Sequence, residues 1–97
     1  MGPYEIGEFC SVHQHVKIRT DNTVESGEFP HIGSCVWIGP HARIIGNVTV
    51  GDNSTVSAGS LVIKDVSPSN LVVGTPARII STRYDNRSIL NHLPYNE

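Results

Sequence analysis

Residues 32–67 read IGSCVWIGPHARIIGNVTVGDNSTVSAGSLVIKDVS, and an aliphatic side chain opens every six-residue step of this stretch. The six openings are Ile32, Ile38, Ile44, Val50, Val56 and Val62. A six-residue period matches neither the 3.6-residue period of a helix nor the two-residue alternation of a strand. It is typical of a parallel β-helix, a solenoid in which each hexapeptide contributes one short strand and one turn.

The same period extends toward the N-terminus through Ile6, Val12 and Ile18. The fifth residue of each hexapeptide is small or β-branched at Cys10, Val16, Val36, Ala42, Val48, Ser54, Ser60 and Val66. Alternate side chains of a strand share a face, so the fifth residue of one repeat and the first of the next point the same way. Both positions are therefore predicted to line the interior of the solenoid.

The fourth residue of each hexapeptide is predicted to form a corner between strands. These residues are Phe9, His15, Asp21, Cys35, His41, Asn47, Asn53, Gly59 and Asp65. The set is rich in residue types that tolerate a left-handed backbone conformation. Three hexapeptides would complete one triangular coil, which predicts three coils of eighteen residues at 6–23, 32–49 and 50–67.

The period breaks between Ile18 and Ile32. The offset from Ile6 to Ile32 is 26 residues, which equals one coil of eighteen plus eight, and it predicts an eight-residue loop extruded from a corner within residues 20–31. Val24 also falls on the period, so a two-residue bulge after it is the alternative. Inserted residues in repeat proteins often lie on the binding face.

After Ser67 the pattern ends. Leu71–Val73 is predicted as a last extended segment, and the β-helix domain is assigned to residues 1–80. Residues 81–97 form a C-terminal tail, in which Tyr84–Leu93 is compatible with a short helix or a loose segment. This tail is expected to close the C-terminal end of the coil, because an open solenoid end exposes its interior.

Length and charge narrow the possible partners. A chain of 97 residues fits one small domain that buries a limited share of its surface, which favours an oligomer. Charged residues make up 16% and the net charge is −2, which argues against nucleic acid as a partner. No segment predicts a membrane span or a signal peptide, so a cytoplasmic location is expected, with Cys10 and Cys35 as free thiols.

Several motifs in order resemble one known family. They are IGSCVWIG at 32–39, GNVTVGDN at 46–53, AGS at 58–60, KD at 64–65 and GTPAR at 74–78. From Ile6 to Ile80 the chain resembles the hexapeptide acyltransferases, in the serine acetyltransferase-like and polysaccharide O-acetyltransferase branch. The resemblance implies a left-handed coil, a homotrimer, acetyl-CoA bound in the groove between neighbouring coils, and a histidine as general base.

The resemblance also implies which residues hold the acyl donor. Ala58 and Gly59 match the small corner that passes the pantetheine arm. Lys64 matches a contact to a CoA phosphate, and Arg78 would add a second positive charge. The structural alternatives are a tight corner for Ala58 and Gly59, a solvated surface lysine for Lys64, and a contact that holds the C-terminal segment for Arg78. No metal is expected.

Among the five histidines, His13 and His31 are the candidate general bases, because they are predicted to lie beside the extruded loop. In serine acetyltransferases, one catalytic histidine lies about one coil upstream of the segment matching Val12–Val16, and that coil is absent here. A second family histidine precedes a proline, and Phe29 occupies that position in this chain. The alternative is that His13 and His15 are surface strand and corner residues, and His41 is expected to be structural or on the surface.

The sequence leaves three hypotheses for the function. The first is an acetyl-CoA-dependent O-acetyltransferase acting on a hydroxyl of serine or of a sugar or polysaccharide precursor. The second is an N-terminally truncated or non-catalytic trimeric scaffold or binding module of the same fold. The third is a γ-type carbonic anhydrase, for which His13 and His15 would share a strand face as zinc ligands. The paired histidines that this enzyme family carries in the coil matching Ile38–Thr49 are missing.

Overall fold

Short parallel strands stack along the molecule in three sheets. The computed structural model describes residues 5–19 and 29–86, and within them it has eleven strands and no helix. The strands are β1 (Glu5–Ile6), β2 (Ser11–Val12), β3 (Lys17–Arg19), β4 (His31–Ile32), β5 (Trp37–Ile38), β6 (Arg43–Ile45), β7 (Thr49–Val50), β8 (Thr55–Val56), β9 (Leu61–Val62), β10 (Leu71–Gly74) and β11 (Ala77–Ser81). In this part of the chain no helix could span a bilayer.

Each coil contributes one strand to each of three faces. Face A contains β1, β4 and β7, face B contains β2, β5, β8, β10 and β11, and face C contains β3, β6 and β9. We name the corners by the faces that they join, so that the chain turns through corners AB, BC and CA in each coil. All pairings between coils are parallel, which confirms the predicted β-helix of about three coils.

The interior is filled by the first and fifth residues of the hexapeptides, as predicted. Ile38, Ile44, Val50 and Val56 are fully buried, and Ser54 and Ser60 are enclosed with them. The first coil is less buried, because within the described structure it has a neighbouring coil on only one of its two sides. Its residues Ile6 and Val12 are 38% and 46% exposed. The tightly packed core therefore lies in the second and third coils.

The predicted corners adopt the left-handed conformation at six of the nine positions. Positive φ angles occur at Phe9, His15, Cys35, His41, Asn53 and Gly59. The prediction is wrong at Asn47 and Asp65, where φ is not positive, and Gly46 takes this role beside Asn47 with φ of 97°. Asp21 lies outside the described residues. Both cysteines are free thiols, as predicted, and Cys10 is only partly buried.

The strand register confirms the length of the insertion. Ile6 pairs with Ile32 and Ile18 with Ile44, so each partner lies 26 residues later. The eight-residue insertion is therefore correct, and the alternative bulge after Val24 is wrong. Residues 20–28 lie outside the described structure. The predicted end of the loop at His31 is also wrong, since His31 belongs to β4 and pairs with Glu5 and Thr49.

The last coil is two residues shorter than predicted. Val50 pairs with Val66 and Val56 with Val72, so the spacing falls from eighteen residues to sixteen. The predicted coil at 50–67 is therefore wrong, and so is the end of the pattern after Ser67. The period resumes from Val66, and Ser69, the fourth residue of that new repeat, has φ of 61°.

The two residues are lost at corner CA, which we call the short corner (residues 63–65). It contains Ile63, Lys64 and Asp65 between β9 and the bridge at Val66. The Thr49 amide donates a hydrogen bond of 2.8 Å to Asp65 Oδ1 across this corner. The bond fixes the shortened turn against the coil below.

A hairpin and a strap complete the described chain. The predicted extended segment is confirmed as β10, and β11 returns antiparallel to it, a reversal that the sequence analysis missed. Residues 82–86, which we call the strap, then run along corner AB, where the Tyr84 amide donates to the Ser69 carbonyl. Asn86 Nδ2 donates to the carbonyls of Cys35 (2.7 Å) and Ser54 (3.1 Å). The predicted helix from Tyr84 is absent at 84–86, and its remainder lies outside the described residues.

Candidate functional site

His31 is held by two neighbours on face A. Its Nδ1 lies 2.8 Å from Glu5 Oε1, and its ring stacks on Phe29 with centroids 4.7 Å apart. The register explains the contact, because Glu5 is the direct cross-strand neighbour of His31 in the coil below. Both precede an inward residue and therefore point outward. The His31 side chain remains 43% exposed, so a substrate can reach it.

The Glu5 contact selects one tautomer of the His31 ring. An ionised carboxylate only accepts hydrogen bonds, so the Nδ1 atom of His31 must carry the proton that joins the two side chains. In the neutral ring, Nε2 then has the free lone pair. His31 thus presents the basic nitrogen that a general base requires.

Sequence reasoning missed Glu5. The signal was available, because the offset of 26 residues between the first two coils places position 5 directly beneath position 31. The analysis used this offset for interior residues only. An outward carboxylate and an outward histidine at the same offset would have predicted the pair.

His13 lies at a different corner from His31. It follows β2 at corner BC, and its ring packs against Trp37 with centroids 4.7 Å apart and planes tilted by 52°. β3 separates His13 from the insertion along the chain, and residues 20–28 lie outside the described structure, so the expectation that His13 flanks the extruded loop stays a prediction. His15 and His41 stack on each other at the same corner BC, 4.8 Å apart.

Ala58 and Gly59 form corner BC of the third coil, and both are exposed. Gly59 has φ of +72°, and a Cβ placed on it would meet nothing within 4 Å. A Cβ on Gly39 would lie only 2.7 Å from the Ala58 amide nitrogen, so the two coils touch at this point. The side chains of this corner are therefore small, and the corner is open to solvent. A slender ligand can approach the main chain closely here.

Lys64 and Arg78 line one cleft, although 14 positions separate them in the sequence. The cleft has a volume of about 710 Å³ and lies between the short corner and β11. Asp65 also lines it, together with apolar residues that include Val62 and Ile79. The structure thus brings together the two cations that the sequence analysis assigned separately. The cleft combines positive charge with apolar walls.

No three histidine, cysteine, aspartate or glutamate side chains within 5–19 and 29–86 lie close enough together to hold a metal ion. The two residues considered as zinc ligands, His13 and His15, contact different rings, those of Trp37 and His41. No observation on these residues favours the carbonic anhydrase hypothesis.

Comparison with known proteins agrees with this geometry. The bacterial transferase hexapeptide model, which describes six repeats, matches residues 29–64. These residues carry the bacterial transferase hexapeptide repeat, and the chain is similar to the hexapeptide transferases. The matched residues cover the second coil and most of the third, including Ala58, Gly59 and Lys64.

Hexapeptide transferases of two acceptor types resemble the chain in sequence. It is 45% identical over 67 residues to the galactoside O-acetyltransferase of Escherichia coli, covering 68% of this chain and 32% of the relative. It is 32% identical over 75 residues to the serine acetyltransferase of Synechococcus elongatus, covering 77% of this chain and 31% of the relative. The chain thus spans about a third of the length of these relatives.

A solved structure from this family carries the same fold. The serine acetyltransferase of Neisseria gonorrhoeae superposes with a TM-score of 0.79 at 30% identity, over 94% of this chain and 35% of that chain. The similarity confirms the predicted left-handed β-helix. It also shows that the described coils follow the arrangement of a hexapeptide transferase.

Proposed function

We propose that this chain forms the acetyl-CoA-dependent site of an O-acetyltransferase whose acceptor is a hydroxyl of serine or of a sugar or polysaccharide precursor. The observation that carries the proposal is the 2.8 Å contact between Glu5 and His31, since it creates an oriented and accessible base on a transferase fold. The relatives that act on galactosides and on serine support the choice of a hydroxyl acceptor.

The chemistry assigned to His31 is one proton accepted and then one proton returned. Nε2 of His31 takes the proton of the acceptor hydroxyl while the hydroxyl oxygen attacks the thioester carbonyl carbon. The C–S bond then breaks, and the sulfur leaves with a proton returned from the ring. Glu5 stabilises the positive charge on the imidazolium between the two steps. No covalent enzyme intermediate is required.

The donor would lie along corner BC and reach the cleft above the short corner. Ala58 and Gly59 allow the pantetheine arm to approach the main chain, because neither side chain projects far. Lys64 and Arg78 supply positive charge for the phosphates, and a lysine suits a solvated phosphate as a mobile point charge.

The two halves of this site lie at different corners of one chain. His31 follows corner CA, whereas Gly59 lies at corner BC, with face C between them. A closed ring of subunits joins two different surfaces at every interface. A homotrimer whose interface joins corner CA of one subunit to corner BC of the next would bring His31 beside Gly59, and this possibility supports the trimer expected from the family.

Calorimetric titration of the 97-residue chain with CoA tests the donor site. We expect binding, and we expect it to weaken about fivefold in Lys64→Gln and in Arg78→Gln, since each removes one exposed charge contact. Arg83→Gln is the matched control, because Arg83 is an exposed cation on the strap outside this cleft.

The same titration distinguishes the acetyltransferase proposal from the non-catalytic scaffold. An intact oligomer that fails to bind millimolar CoA would refute the donor site and would favour the non-catalytic scaffold. Binding that is equally weakened by Arg83→Gln would show a general charge effect instead of a specific phosphate contact.

A further inference from the structure

Face C carries three cations that no described carboxylate neutralises. Lys17 and Arg19 lie on β3, and Arg43 lies on β6. Between them, Ile18 and Ile44 point into the interior, so all three cationic side chains point outward. None of the three makes an ion pair with another described residue.

The register brings two of these cations into direct contact distance. Lys17 and Arg43 are cross-strand partners, and neighbouring strands lie about 4.8 Å apart. Arg19 is two residues from Lys17 on the same strand, at a separation of about 6.6 Å. Like charges placed directly opposite each other on a sheet destabilise it. The binding of an anion would relieve this repulsion between the cations.

The positive charge on face C is confined to its strands in the first and second coils. In the third coil, Leu61 on β9 and Ile63 directly after this strand take the corresponding outward positions. The whole chain has a net charge of −2, so a generally basic surface does not explain the cluster. Arg43 is only partly exposed, whereas Lys17 and Arg19 are exposed.

The position of the cluster connects it with the acceptor side of the proposed site. Face C ends at corner CA, and His31 lies on the first strand after that corner. The two donor cations, Lys64 and Arg78, lie in the cleft at the other end of the stack, beyond the apolar outward residues of β9.

We infer that Lys17, Arg19 and Arg43 form an anion-binding face that selects a carboxylate-bearing saccharide as the acceptor. The inference rests on the proposed function and narrows its acceptor class. The hydroxyl to be acetylated would lie at His31, and carboxylates on the same or adjacent sugar residues would lie over the three cations. Three cations whose positions on the sheet lie within about 8 Å of one another suit an oligosaccharide better than a single small anion.

Calorimetric titration of the full chain with trigalacturonate, and with neutral maltotriose as its counterpart, tests this inference. We expect trigalacturonate to bind and maltotriose to bind at least about tenfold more weakly. The double variant Lys17→Gln/Arg43→Gln should weaken trigalacturonate binding about fivefold to tenfold, because each exposed ion pair contributes modestly. Arg83→Gln, which removes a cation from the strap, should leave it unchanged.

Two further measurements exclude other roles for the cations. The charge-preserving variant Lys17→Arg should retain trigalacturonate binding, which separates charge from folding. Sizing and CoA titration of the double variant should match the unsubstituted chain. A smaller oligomer would assign the cations to a subunit interface, and weaker CoA binding would assign them to the donor, and either result overturns the inference.

Equal binding of the charged and neutral sugars, or no binding of either, also overturns it. Since CoA is titrated separately, CoA binding without trigalacturonate binding would refute the acidic acceptor alone. Trigalacturonate binding without CoA binding would refute the acetyltransferase proposal alone.

Discussion

At position 5 a glutamate accepts a hydrogen bond from a histidine that follows 26 residues later. The contact leaves Nε2 of His31 as the basic nitrogen, and Phe29 stacks on the ring. A histidine without such partners rotates freely and exchanges its tautomers. The carboxylate therefore contributes orientation, which affects the chemical step more than the binding of a ligand.

Substitutions of this pair should separate catalysis from binding. His31→Gln is expected to lower kcat by about 10²–10⁴-fold through loss of the general base. Glu5→Gln should lower kcat about tenfold and leave KM nearly unchanged, and Glu5→Asp should restore part of the loss. Steady-state acetyl transfer to a hydroxyl acceptor provides both constants. His41→Asn, at a left-handed corner that asparagine tolerates, is the control, and an equal loss in that variant would contradict the role of His31.

Two glycines provide a matched test of the pantetheine corner. Gly59 and Gly46 both have positive φ, of 72° and 97°, and a Cβ on either meets nothing within 4 Å. Alanine therefore introduces a backbone strain of about 1–2 kcal/mol at each site without a steric clash. Only Gly59→Ala should weaken CoA binding, since only this residue lies on the proposed donor path. Calorimetry and thermal melting of the two variants check this, and equal CoA affinities would contradict it.

At the level of elements, corner AB is covered by the strap, and one side chain anchors it. Asn86 is 4% exposed, and its amide satisfies the carbonyls of two different coils. The Tyr84 amide adds a bond to Ser69. The strap thus joins the second coil, the third coil and the turn that follows Val66 along one edge.

Removal of the anchor should destabilise the fold. Asn86→Ala leaves the Cys35 carbonyl without its side-chain donor and leaves the Ser54 carbonyl with the Trp37 amide alone, at a cost of about 1–3 kcal/mol in the free energy of unfolding. For a domain of this size, each kcal/mol lowers Tm by about 4–8 °C. Thermal unfolding followed by circular dichroism measures the change, with Asn47→Ala at an exposed corner as the control. A Tm within 2 °C of the unsubstituted chain would show that the strap does not stabilise the coils.

Much of the element pattern could be predicted from the sequence, and the exceptions have a physical cause. Interior positions were identified correctly because enclosure selects aliphatic side chains every six residues. The short corner escaped detection because Val66 fits two registers. It occupies a fifth position if the spacing stays at eighteen and a first position once two residues are lost, and valine suits both. The Asn86 anchor was missed because it joins residues 51 and 32 positions apart, a distance that no local pattern reports.

On the scale of the whole molecule, the two proposed half-sites flank face C and belong to different corners. A site between subunits has a specific consequence for mixtures. His31→Gln removes the base but keeps the donor corner, whereas Gly59→Trp blocks the donor corner but keeps the base. Co-refolding the two inactive variants at equal amounts should restore activity at about a quarter of the interfaces.

Acetyl transfer by the refolded mixture, compared with each variant refolded alone, measures this recovery. Mixing the variants without refolding is the control, since subunits then do not exchange. Activity no higher than the separate variants would show that His31 and Gly59 do not act across one interface.

The two interior serines make the two ends of the stack of coils different. The Ser60 hydroxyl accepts the Gly74 amide, and the Ser54 hydroxyl donates to the Ser67 carbonyl, so the last turn is bonded to atoms inside the coil below. At the opposite end, Ile6 and Val12 are largely uncovered. In a solenoid each coil is stabilised by its immediate neighbours. Amide hydrogen exchange should therefore show fraying from the first coil inward, with the slowest exchange in the second and third coils and at Gly74.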